Sequence, residues 1–316
     1  MHAVILAGGF ATRLWPLTEK LPKPLIPLAG KELLSHLIEK IPLNIKITLS
    51  VNSTFAFAFK TWKEKFFPKR KINIFIEDAK KEEEKKGALF AIARCVKDLK
   101  INDHLLVIAG DNFFDFSLSD FISQFKQNPL IAVYDLKDKK QAKKFGVVIG
   151  SNNIVENFEE KPENPSSSLI STGCYLIPQK LLQDLCFFAQ KNPDDLGKVF
   201  EYFLSKNIEI NFFSFMGKWF DIGSFDSFLK AHKNILKEKI LRKKGSNQIN
   251  SILKGAIFLG ENALVKDCLI EDSIILENAN IKNSTLRNCV IGKNVTLKNI
   301  DLEWKIIRDE SFILGN

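Results

Sequence analysis

The sequence has few of the residues that a disulfide framework, a zinc site or a nucleophilic active site requires. Its five cysteines are scattered without a Cys-x-x-Cys pair, and their odd number argues against both disulfides and zinc. We therefore expect small buried thiols in a reducing, cytoplasmic compartment. Only four histidines are present, and none stands beside a serine or cysteine in a recognisable nucleophile motif. Nothing in the sequence favours covalent catalysis by a Ser–His or Cys–His pair.

Long apolar runs are also absent. No stretch approaches the roughly 18–20 apolar residues of a membrane span, so no membrane association is expected. The chain enters a strand-like segment without a charged leader, so we expect no signal peptide. The formal net charge of +9 would suit nucleic acid, but lysines are interleaved with glutamates and no aromatic-spaced basic stripe is present. A solvated basic surface that favours phosphorylated substrates is the better interpretation, and no nucleic-acid partner is expected.

A glycine loop follows the first apolar run. Residues 4–6 predict a buried parallel strand that opens into Gly8 and Gly9. Glycines there let the backbone approach a ligand and turn its N–H groups toward phosphate oxygens. Arg13 supplies a guanidinium fork for such oxygens, and Lys23 lies between two prolines that stiffen its backbone. A tight strand-to-helix turn is the alternative for the glycines alone, but the combination predicts a phosphate-binding loop.

Two aspartates end further motifs. Residues 105–110 predict a strand, so Asp111 follows at its carboxyl end, where open α/β sheets bind ligands. Asp221 is the third residue of the Trp-Phe-Asp-Ile-Gly motif at 219–223. A helix cap is the alternative for Asp111 and a turn residue is the alternative for Asp221. Taken together, the two aspartates favour a ligand-binding role over both alternatives.

A third group of motifs combines acidic and basic side chains with glycine. A predicted strand at 145–148 precedes Asn-Phe-Glu-Glu-Lys-Pro at 157–162, where Glu160 and Lys161 are adjacent and a proline fixes the backbone. A carboxylate beside a lysine suits a ligand with hydroxyl groups and a phosphate. The alternative is a solvated charged turn. The Ser-Thr-Gly-Cys-Tyr segment that follows at 171–175 favours the ligand-binding interpretation.

In this order, the motifs resemble those of the sugar-1-phosphate nucleotidylyltransferases, the NDP-sugar pyrophosphorylases. That family's loop usually reads Gly-Gly-x-Gly-Thr-Arg-Leu and is followed by Lys-Pro-x-x-Pro; here Ala11 replaces the third glycine. The resemblance implies catalytic roles for Arg13, Lys23, Asp111 and Asp221, with Mg²⁺ held by the two aspartates. It implies nucleotide binding by Leu6, Ala7, Gly8, Gly9, Gly87 and Asp111, and sugar-phosphate binding by Gly146, Glu160, Lys161 and Gly173.

The reaction implied by the resemblance joins a nucleoside triphosphate to a sugar-1-phosphate. The products are an NDP-sugar and pyrophosphate. The motif forms look most like thymidylyl- or uridylyltransferases acting on glucose-1-phosphate, so dTTP or UTP is the favoured nucleotide. A guanylyltransferase for mannose- or heptose-1-phosphate is the alternative. A catalytically silent subunit that binds nucleotide sugar and regulates a partner is the alternative from another class, although all four catalytic candidates are present.

The spacing of the apolar residues changes near residue 250. Aliphatic residues recur every five or six positions from Leu259 to Leu297, with short side chains between them in matching phase. So short a period predicts a parallel β-helix. The fold class is therefore α/β: a doubly wound, Rossmann-like, mostly parallel sheet with a C-terminal left-handed parallel β-helix. We expect a catalytic domain at 1–236, a basic connector at 237–250 and the β-helix at 251–316.

The predicted β-helix contains none of the candidate reacting groups. A short stack leaves unpaired backbone edges and partly covered aliphatics at its ends. The bulky residues Phe258, Trp304 and Phe312 are placed to cover such ends. We therefore expect this region to serve assembly and the protein to be a homo-oligomer. An irregular β tail is the alternative.

Overall fold

The computed structural model describes residues 1–10, 12–79, 82–84, 86–194 and 196–315. Ala11, the substituted loop position, lies outside them. The chain divides into two compact units, of which the first contains Met1–Phe10 and Leu34–Trp219. The second contains Ala11–Leu33 and Phe220–Asn316.

The first three quarters of the chain contain both strands and helices. The strands are β1 (His2–Leu6), β2 (Pro27–Leu28), β3 (Lys31–Glu32), β4 (Lys46–Asn52), β5 (Ile72–Glu77), β6 (Leu105–Ala109), β7 (Asn112–Phe114), β8 (Leu130–Asp135), β9 (Gly146–Ser151), β10 (Ile154–Glu160), β11 (Leu169–Ile177), β12 (Asn211–Ser214) and β13 (Trp219–Asp221). The α-helices are α1 (Leu33–Ile38), α2 (Ala56–Phe66), α3 (Ala88–Asp98), α4 (Leu118–Ser123), α5 (Lys139–Ala142), α6 (Leu182–Lys191), α7 (Lys198–Ser205) and α8 (Phe225–Leu236). Short 3₁₀ helices cover Thr12–Leu14, Lys23–Leu25, Glu82–Glu84 and Gln179–Leu181.

The first unit is built on one large sheet with the strand order β5-β4-β1-β6-β11-β8-β12-β10-β9. The four strands from β5 to β6 are parallel, which confirms the Rossmann-like α/β class. The other half is mixed rather than mostly parallel, because β11 runs antiparallel to β6 and β8, and β9 and β10 form an antiparallel pair. Such pairs need no crossover helix, so the Rossmann pattern of strand then helix ends at this point.

Apolar periodicity explains how the helices cover this sheet. In α3, residues Leu89, Ile92, Ala93 and Val96 are buried, which is the apolar face expected from their helical spacing. This helix packs against α6 and β1. None of the helices in the described part of the chain combines the length and apolar character needed to cross a lipid bilayer.

The second unit contains the short β2–β3 hairpin, α8 and the C-terminal strands. Ser224 caps α8 by accepting a hydrogen bond from the Ser227 amide, as its position before the helix predicts. His232 is completely buried in this helix, as a packing residue is. Its Nδ1 atom accepts a hydrogen bond from the Ala29 amide at 3.3 Å.

The C-terminal strands form the three parallel sheets of a left-handed β-helix. One sheet contains β14 (Ile240–Arg242), β17 (Ile257–Leu259), β20 (Ile274–Ile275), β23 (Val290–Ile291) and β26 (Ile306–Ile307). The second contains β15 (Asn247–Ile249), β18 (Leu264–Lys266), β21 (Asn280–Lys282), β24 (Thr296–Lys298) and β27 (Phe312–Leu314). The third contains β16 (Ile252–Lys254), β19 (Leu269–Glu271), β22 (Thr285–Arg287) and β25 (Asp301–Glu303).

Each full turn of the β-helix advances by 16 residues, except the first, which advances by 17. The strand register gives each 16-residue turn one side of six residues and two of five, and gives the 17-residue first turn two sides of six and one of five. These side lengths account for the steps of five and six in the sequence. The aliphatic residues from Leu259 to Leu297 are buried inside the stack. Corner asparagines adopt positive φ, which this residue type tolerates, and three of them form a hydrogen-bonded ladder: Asn262, Asn278 and Asn294.

The expected connector at 237–250 is corrected by the structure. Strands β14 and β15 lie within it and pair in parallel with β17 and β18. The β-helix therefore begins near Ile240. Lysines dominate this segment because its outward positions are solvated, so a basic composition did not distinguish a first β-helix turn from a linker.

Candidate active site

The predicted glycine loop and Asp111 lie at the carboxyl edge of the large sheet. β1 pairs in parallel with β6, with Leu6 opposite Ala109. Beyond that register the Gly110 amide donates to the Leu6 carbonyl at 2.9 Å. A Cβ on Gly110 would lie 2.6 Å from the same carbonyl oxygen, so only glycine permits this approach. The structure thus brings the start of the loop and the Asp111 segment together.

The two loop glycines have different surroundings. A Cβ added to Gly8 would lie 2.9 Å from Oε1 of Glu77, whereas one added to Gly9 would meet nothing within 4 Å. Packing in the described part of the chain therefore gives no reason for glycine at position 9. Open space beside an exposed backbone is what close approach of a ligand requires.

Polar side chains that the sequence analysis did not select hold this loop. Asn52 donates its Nδ2 amide to the Gly8 carbonyl at 3.1 Å, and Ser50 donates its hydroxyl to Glu77 at 2.8 Å. Ser50 and Asn52 lie in β4, and Glu77 is the last residue of β5. A polar residue that ends a buried strand at this edge is a signal the sequence contained.

Asp111 is paired with its neighbour. Asn112 donates its Nδ2 amide to Oδ1 of Asp111 at 2.9 Å. The Asn112 side chain is buried, and its Oδ1 atom accepts no hydrogen bond from the described residues. An uncompensated buried amide oxygen costs free energy unless a ligand or water meets it. Asn112 therefore has a buried amide oxygen that is available to a ligand or a water molecule.

Glu160 and Lys161 occupy different environments. The Glu160 side chain is 11% exposed and that of Lys161 is 62% exposed, with Nζ 3.3 Å from Oε1 of Glu160. Lys161 has a φ of +48°, so the chain turns sharply after β10. A Cβ on Gly146 would lie 3.1 Å from Oε2 of Glu160, and one on Gly197 would overlap that oxygen. Gly197 thus makes room for this carboxylate, whereas a Cβ on Gly146 would first overlap the Phe158 ring. No sequence motif identified Gly197.

Gly87 and Gly173 each have a structural reason to be glycine. Gly87 has a φ of +106°, and a Cβ there would overlap the Pro193 carbonyl oxygen. Gly173 has a φ of +74° within β11, and its Cβ would lie 2.7 Å from that of Ala109. Gly173 therefore packs against the end of β6, two residues before Asp111. Glycine at this position is therefore explained by packing, and it also lies at the sheet edge where we expect the ligand.

The remaining catalytic candidates belong to the second unit. Lys23 is buried in the 3₁₀ helix Lys23–Leu25, and Pro22 precedes it with a φ of −68°. Its Nζ atom lies 3.9 Å from Oδ1 of Asp221. A Cβ on Gly223 would lie 3.3 Å from Oδ2 of Asp221, so the Asp-x-Gly spacing leaves space beside the carboxylate. The Arg13 side chain is exposed.

The donor atoms fit a hard divalent cation. The described residues contain no group of three or more histidine, cysteine, aspartate or glutamate side chains arranged to hold a metal. Mg²⁺ does not need such a cage, because it binds through one or two carboxylates and completes its shell with water and substrate phosphates. The carboxylate of Asp111 in the first unit and that of Asp221 in the second are each an oxygen donor of that kind.

The comparison with protein families identifies the chain. The nucleotidyl transferase model matches residues 2–238. The chain belongs to this family. The match spans both aspartate motifs and the glycine loop, and the resemblance to sugar-1-phosphate nucleotidylyltransferases is confirmed.

Individual relatives carry different names. The bifunctional protein GlmU of Methanocaldococcus jannaschii is 33% identical over 275 residues, which cover 84% of this chain and 61% of the relative. The glucose-1-phosphate adenylyltransferase of Mycoplasma mobile is 30% identical and is matched over 75% of this chain and 67% of its own length. The mannose-1-phosphate guanyltransferase of Schizosaccharomyces pombe is 27% identical, over 80% and 71%. The chain thus spans about three fifths of the GlmU relatives.

A solved structure shares the fold. A candidate glucose-1-phosphate thymidylyltransferase from Bacillus anthracis, crystallised with sucrose, superposes with a TM-score of 0.64. The superposition covers 73% of this chain and 94% of that one, at 23% identity. At this identity the likeness establishes the fold alone.

Proposed function

We propose that the chain transfers a nucleotidyl group from a nucleoside triphosphate to a sugar-1-phosphate, giving an NDP-sugar and pyrophosphate. One observation carries the proposal: in a member of the nucleotidyl transferase family, the glycine loop and Asp111 share the carboxyl edge of adjacent parallel strands. Ligands of open α/β sheets bind at this edge. The substrates are thus two phosphate esters, which also suit the net charge of +9.

The reaction needs positioning and charge neutralisation more than a base. A phosphate oxygen of the sugar-1-phosphate attacks the α-phosphorus of the triphosphate, and the bond to the β-phosphate oxygen breaks. A phosphate ester is already a nucleophile at neutral pH, so no proton must be removed first. The loop amides beyond Ala7, whose own N–H donates to the Ser50 carbonyl at 2.8 Å, and Arg13 would bind the β- and γ-phosphates. Lys23 would neutralise the charge that develops on the leaving pyrophosphate.

Asp111 and Asp221 would hold Mg²⁺. When bound, the ion supplies charge neutralisation at the phosphates. Asn112 would support Asp111, because its amide fixes the orientation of that carboxylate. The Lys23–Asp221 pair has a structural alternative, an ion pair that stabilises the second unit. The family membership of the chain favours the catalytic role.

Lys161 would bind the phosphate of the sugar-1-phosphate, with Glu160 facing the sugar hydroxyls. The exposed ammonium beside a largely buried carboxylate supports this division. Gly146 lies beside the carboxylate, and Gly173 lies at the sheet edge near Asp111. Gly87 would lie against the nucleotide base, although its contact with Pro193 also explains it.

For the base and sugar, we favour thymidylyl or uridylyl transfer to glucose-1-phosphate. The Trp-Phe-Asp-Ile-Gly form of the Asp221 motif supports this choice. Guanylyl transfer to a mannose- or heptose-1-phosphate is the second candidate, supported by the name of the Schizosaccharomyces pombe relative. A catalytically silent subunit that binds nucleotide sugar and regulates a partner is the non-enzymatic candidate.

The test is pyrophosphate release with Mg²⁺ across five nucleoside triphosphates and several sugar-1-phosphates, including glucose and mannose forms. We expect dTTP or UTP with glucose-1-phosphate to give the highest kcat/KM. Preference for GTP with mannose-1-phosphate selects the second candidate. Nucleotide-sugar binding without release for any pair would support the silent subunit and overturn the proposed activity.

We also propose that the protein assembles with copies of itself in the cytoplasm. The last β-helix strand, β27, exposes Phe312 and Leu314, which are 70% and 56% exposed. Five buried free thiols suit a reducing compartment. Light scattering on the wild type and on Phe312→Ser tests the assembly. A wild-type protein that remains a monomer at micromolar concentration contradicts it.

A further inference from the structure

Residues 12–33, here called the phosphate segment, carry Arg13 and Lys23 but belong to the same compact unit as the β-helix. This membership is unexpected from the sequence, where the segment follows directly on β1. Contacts of the segment with the rest of this unit explain it, and they are made at residues 19–20 and 29–30.

Near residue 30 the phosphate segment is packed against α8 and the first turns of the β-helix. The Ala29 amide donates to Nδ1 of the buried His232 at 3.3 Å. Gly30 has a φ of +90°, and a Cβ there would overlap Leu241 and lie 3.5 Å from Phe258. Leu241 lies in β14 and Phe258 lies in β17. The segment therefore has no space for a side chain where it meets the β-helix.

Near residue 20 the phosphate segment is bound to the last turn of the β-helix. Arg308 donates from Nε and Nη2 to the two carboxylate oxygens of Glu19, both at 2.6 Å. One position further, Lys20 donates to Glu310 at 3.1 Å. Isolated exposed ion pairs contribute little to stability. A bidentate Arg–carboxylate pair with a second ion pair beside it is the favourable exception.

The two attachment points are at opposite edges of one β-helix sheet, whose strand order is β14-β17-β20-β23-β26. Leu241 belongs to the first strand, and Arg308 follows the last. Strands about 4.8 Å apart put these edges roughly 19 Å from one another. Lys23 lies between the two attachment points. Two turns connect Arg13 to the nearer one, because the Leu17 amide donates to the Leu14 carbonyl at 2.9 Å and the Glu19 amide donates to the Pro16 carbonyl at 3.1 Å.

We propose that Arg308 is a positioning residue for the triphosphate: by holding Glu19, it fixes the phosphate segment so that Arg13 and Lys23 are preorganised. The inference rests on the proposed function. It gives the β-helix a role beyond assembly, because the terminal turn acts on the phosphate-binding residues without contributing a reacting group. Residues that must hold a charged transition state work best when their own backbone is fixed.

The experiment is charge reversal in the full chain. Arg308→Glu places a carboxylate beside Glu19, and we expect at least about a threefold fall in kcat/KM for the triphosphate. The KM for sugar-1-phosphate should stay unchanged, because Lys161 is in the other unit. The swapped double variant Glu19→Arg/Arg308→Glu should recover most of the loss, which a general loss of stability would not allow.

Arg287→Glu is the matched control. Arg287 forms a comparably exposed pair with Glu271 at 3.7 Å, within the β-helix only. It should leave both KM values and kcat unchanged. A fall in the control equal to that in Arg308→Glu would assign the effect to the charge of the β-helix and overturn the proposal.

Hydrogen–deuterium exchange without substrate separates this inference from the proposed function. Peptides covering residues 14–25 should exchange faster in Arg308→Glu than in the wild type and in Arg287→Glu. Unchanged exchange overturns the anchoring, whatever the activity. Faster exchange with unchanged triphosphate kinetics overturns the positioning role. A wild type that neither binds nor turns over any triphosphate overturns the proposed function, and the positioning role with it, while the exchange data still report the anchoring.

Discussion

The Nζ atom of Lys23 lies 3.9 Å from Oδ1 of Asp221, although the two residues come from opposite ends of the α/β region of the sequence. The Lys23 side chain is 10% exposed and that of Asp221 is 38% exposed. The proline-flanked lysine and the Trp-Phe-Asp-Ile-Gly motif therefore form one local structure, and a change at Asp221 acts on both.

Loss of either aspartate should reduce turnover without unfolding the protein. Asp111→Asn and Asp221→Asn remove carboxylates that we assign to Mg²⁺, and each should lower kcat by about a hundredfold or more. Steady-state kinetics at saturating Mg²⁺ measure the loss, and circular dichroism checks the fold. Asp226→Asn, an exposed change in the first turn of α8, is the control and should keep normal turnover. Near-normal kcat in either active-site variant removes that residue from the metal site.

Binding of the two substrates should depend on two different cationic side chains, Arg13 and Lys161. Arg13→Ala should weaken binding of the nucleoside triphosphate, because its loop faces the phosphates. Lys161→Ala should raise the KM for sugar-1-phosphate while nucleotide binding to the free enzyme stays normal. Calorimetric titration with nucleotide alone distinguishes them, and Lys144→Ala is an exposed lysine control. Loss of nucleotide binding in Lys161→Ala would reverse the assignment.

Substitution of Gly197 should impair use of the sugar-1-phosphate, and substitution of Gly9 should impair binding of the triphosphate. A Cβ at Gly197 would overlap the Glu160 carboxylate, so Gly197→Ala should displace Glu160. We expect a loss of about 1–3 kcal/mol in unfolding free energy, together with a higher KM for sugar-1-phosphate. Gly9→Ala has open space, so its melting temperature should equal that of the wild type while triphosphate binding weakens. Equal stability of both variants would contradict this account.

Burial lowers the pKa of His232 from 6.5 to about 4, an effect that Ala256 and Asp272 only partly offset. The unfolded chain therefore takes up the proton first as the pH falls. Stability from this group is complete above about pH 6.5 and is lost toward pH 4, with a magnitude on the order of 3 kcal/mol.

His232→Asn tests this pH dependence, because its amide oxygen can replace Nδ1 as the acceptor for Ala29. Denaturant unfolding at pH 7 and pH 4.5 should show a smaller drop in the variant than in the wild type. Lys233 is adjacent and ion-paired with Asp272, so Lys233→Gln serves as the control for that pair. Parallel pH profiles for wild type and His232→Asn would exclude His232 as the cause.

Local patterns determined much of this molecule. The apolar run before Gly8 specified β1, the spacing of Leu89, Ile92 and Val96 specified the buried face of α3, and Ser224 specified the start of α8. The five- and six-residue steps specified a β-helix. These features depend on neighbours within one or two turns of chain, so the sequence contains them directly. The order of the motifs also specified the family.

Tertiary structure decided what depends on residues far apart in the chain. The antiparallel entry of β11 into the sheet, the first β-helix turn inside the expected connector and the space that Gly197 leaves for Glu160 have no local signal. The same holds for the pair of Lys23 with Asp221 and for that of Glu19 with Arg308. Each of these contacts depends on how distant segments pack. The sequence between the two partners contains the pattern of its own helices and strands but no signal of the contact.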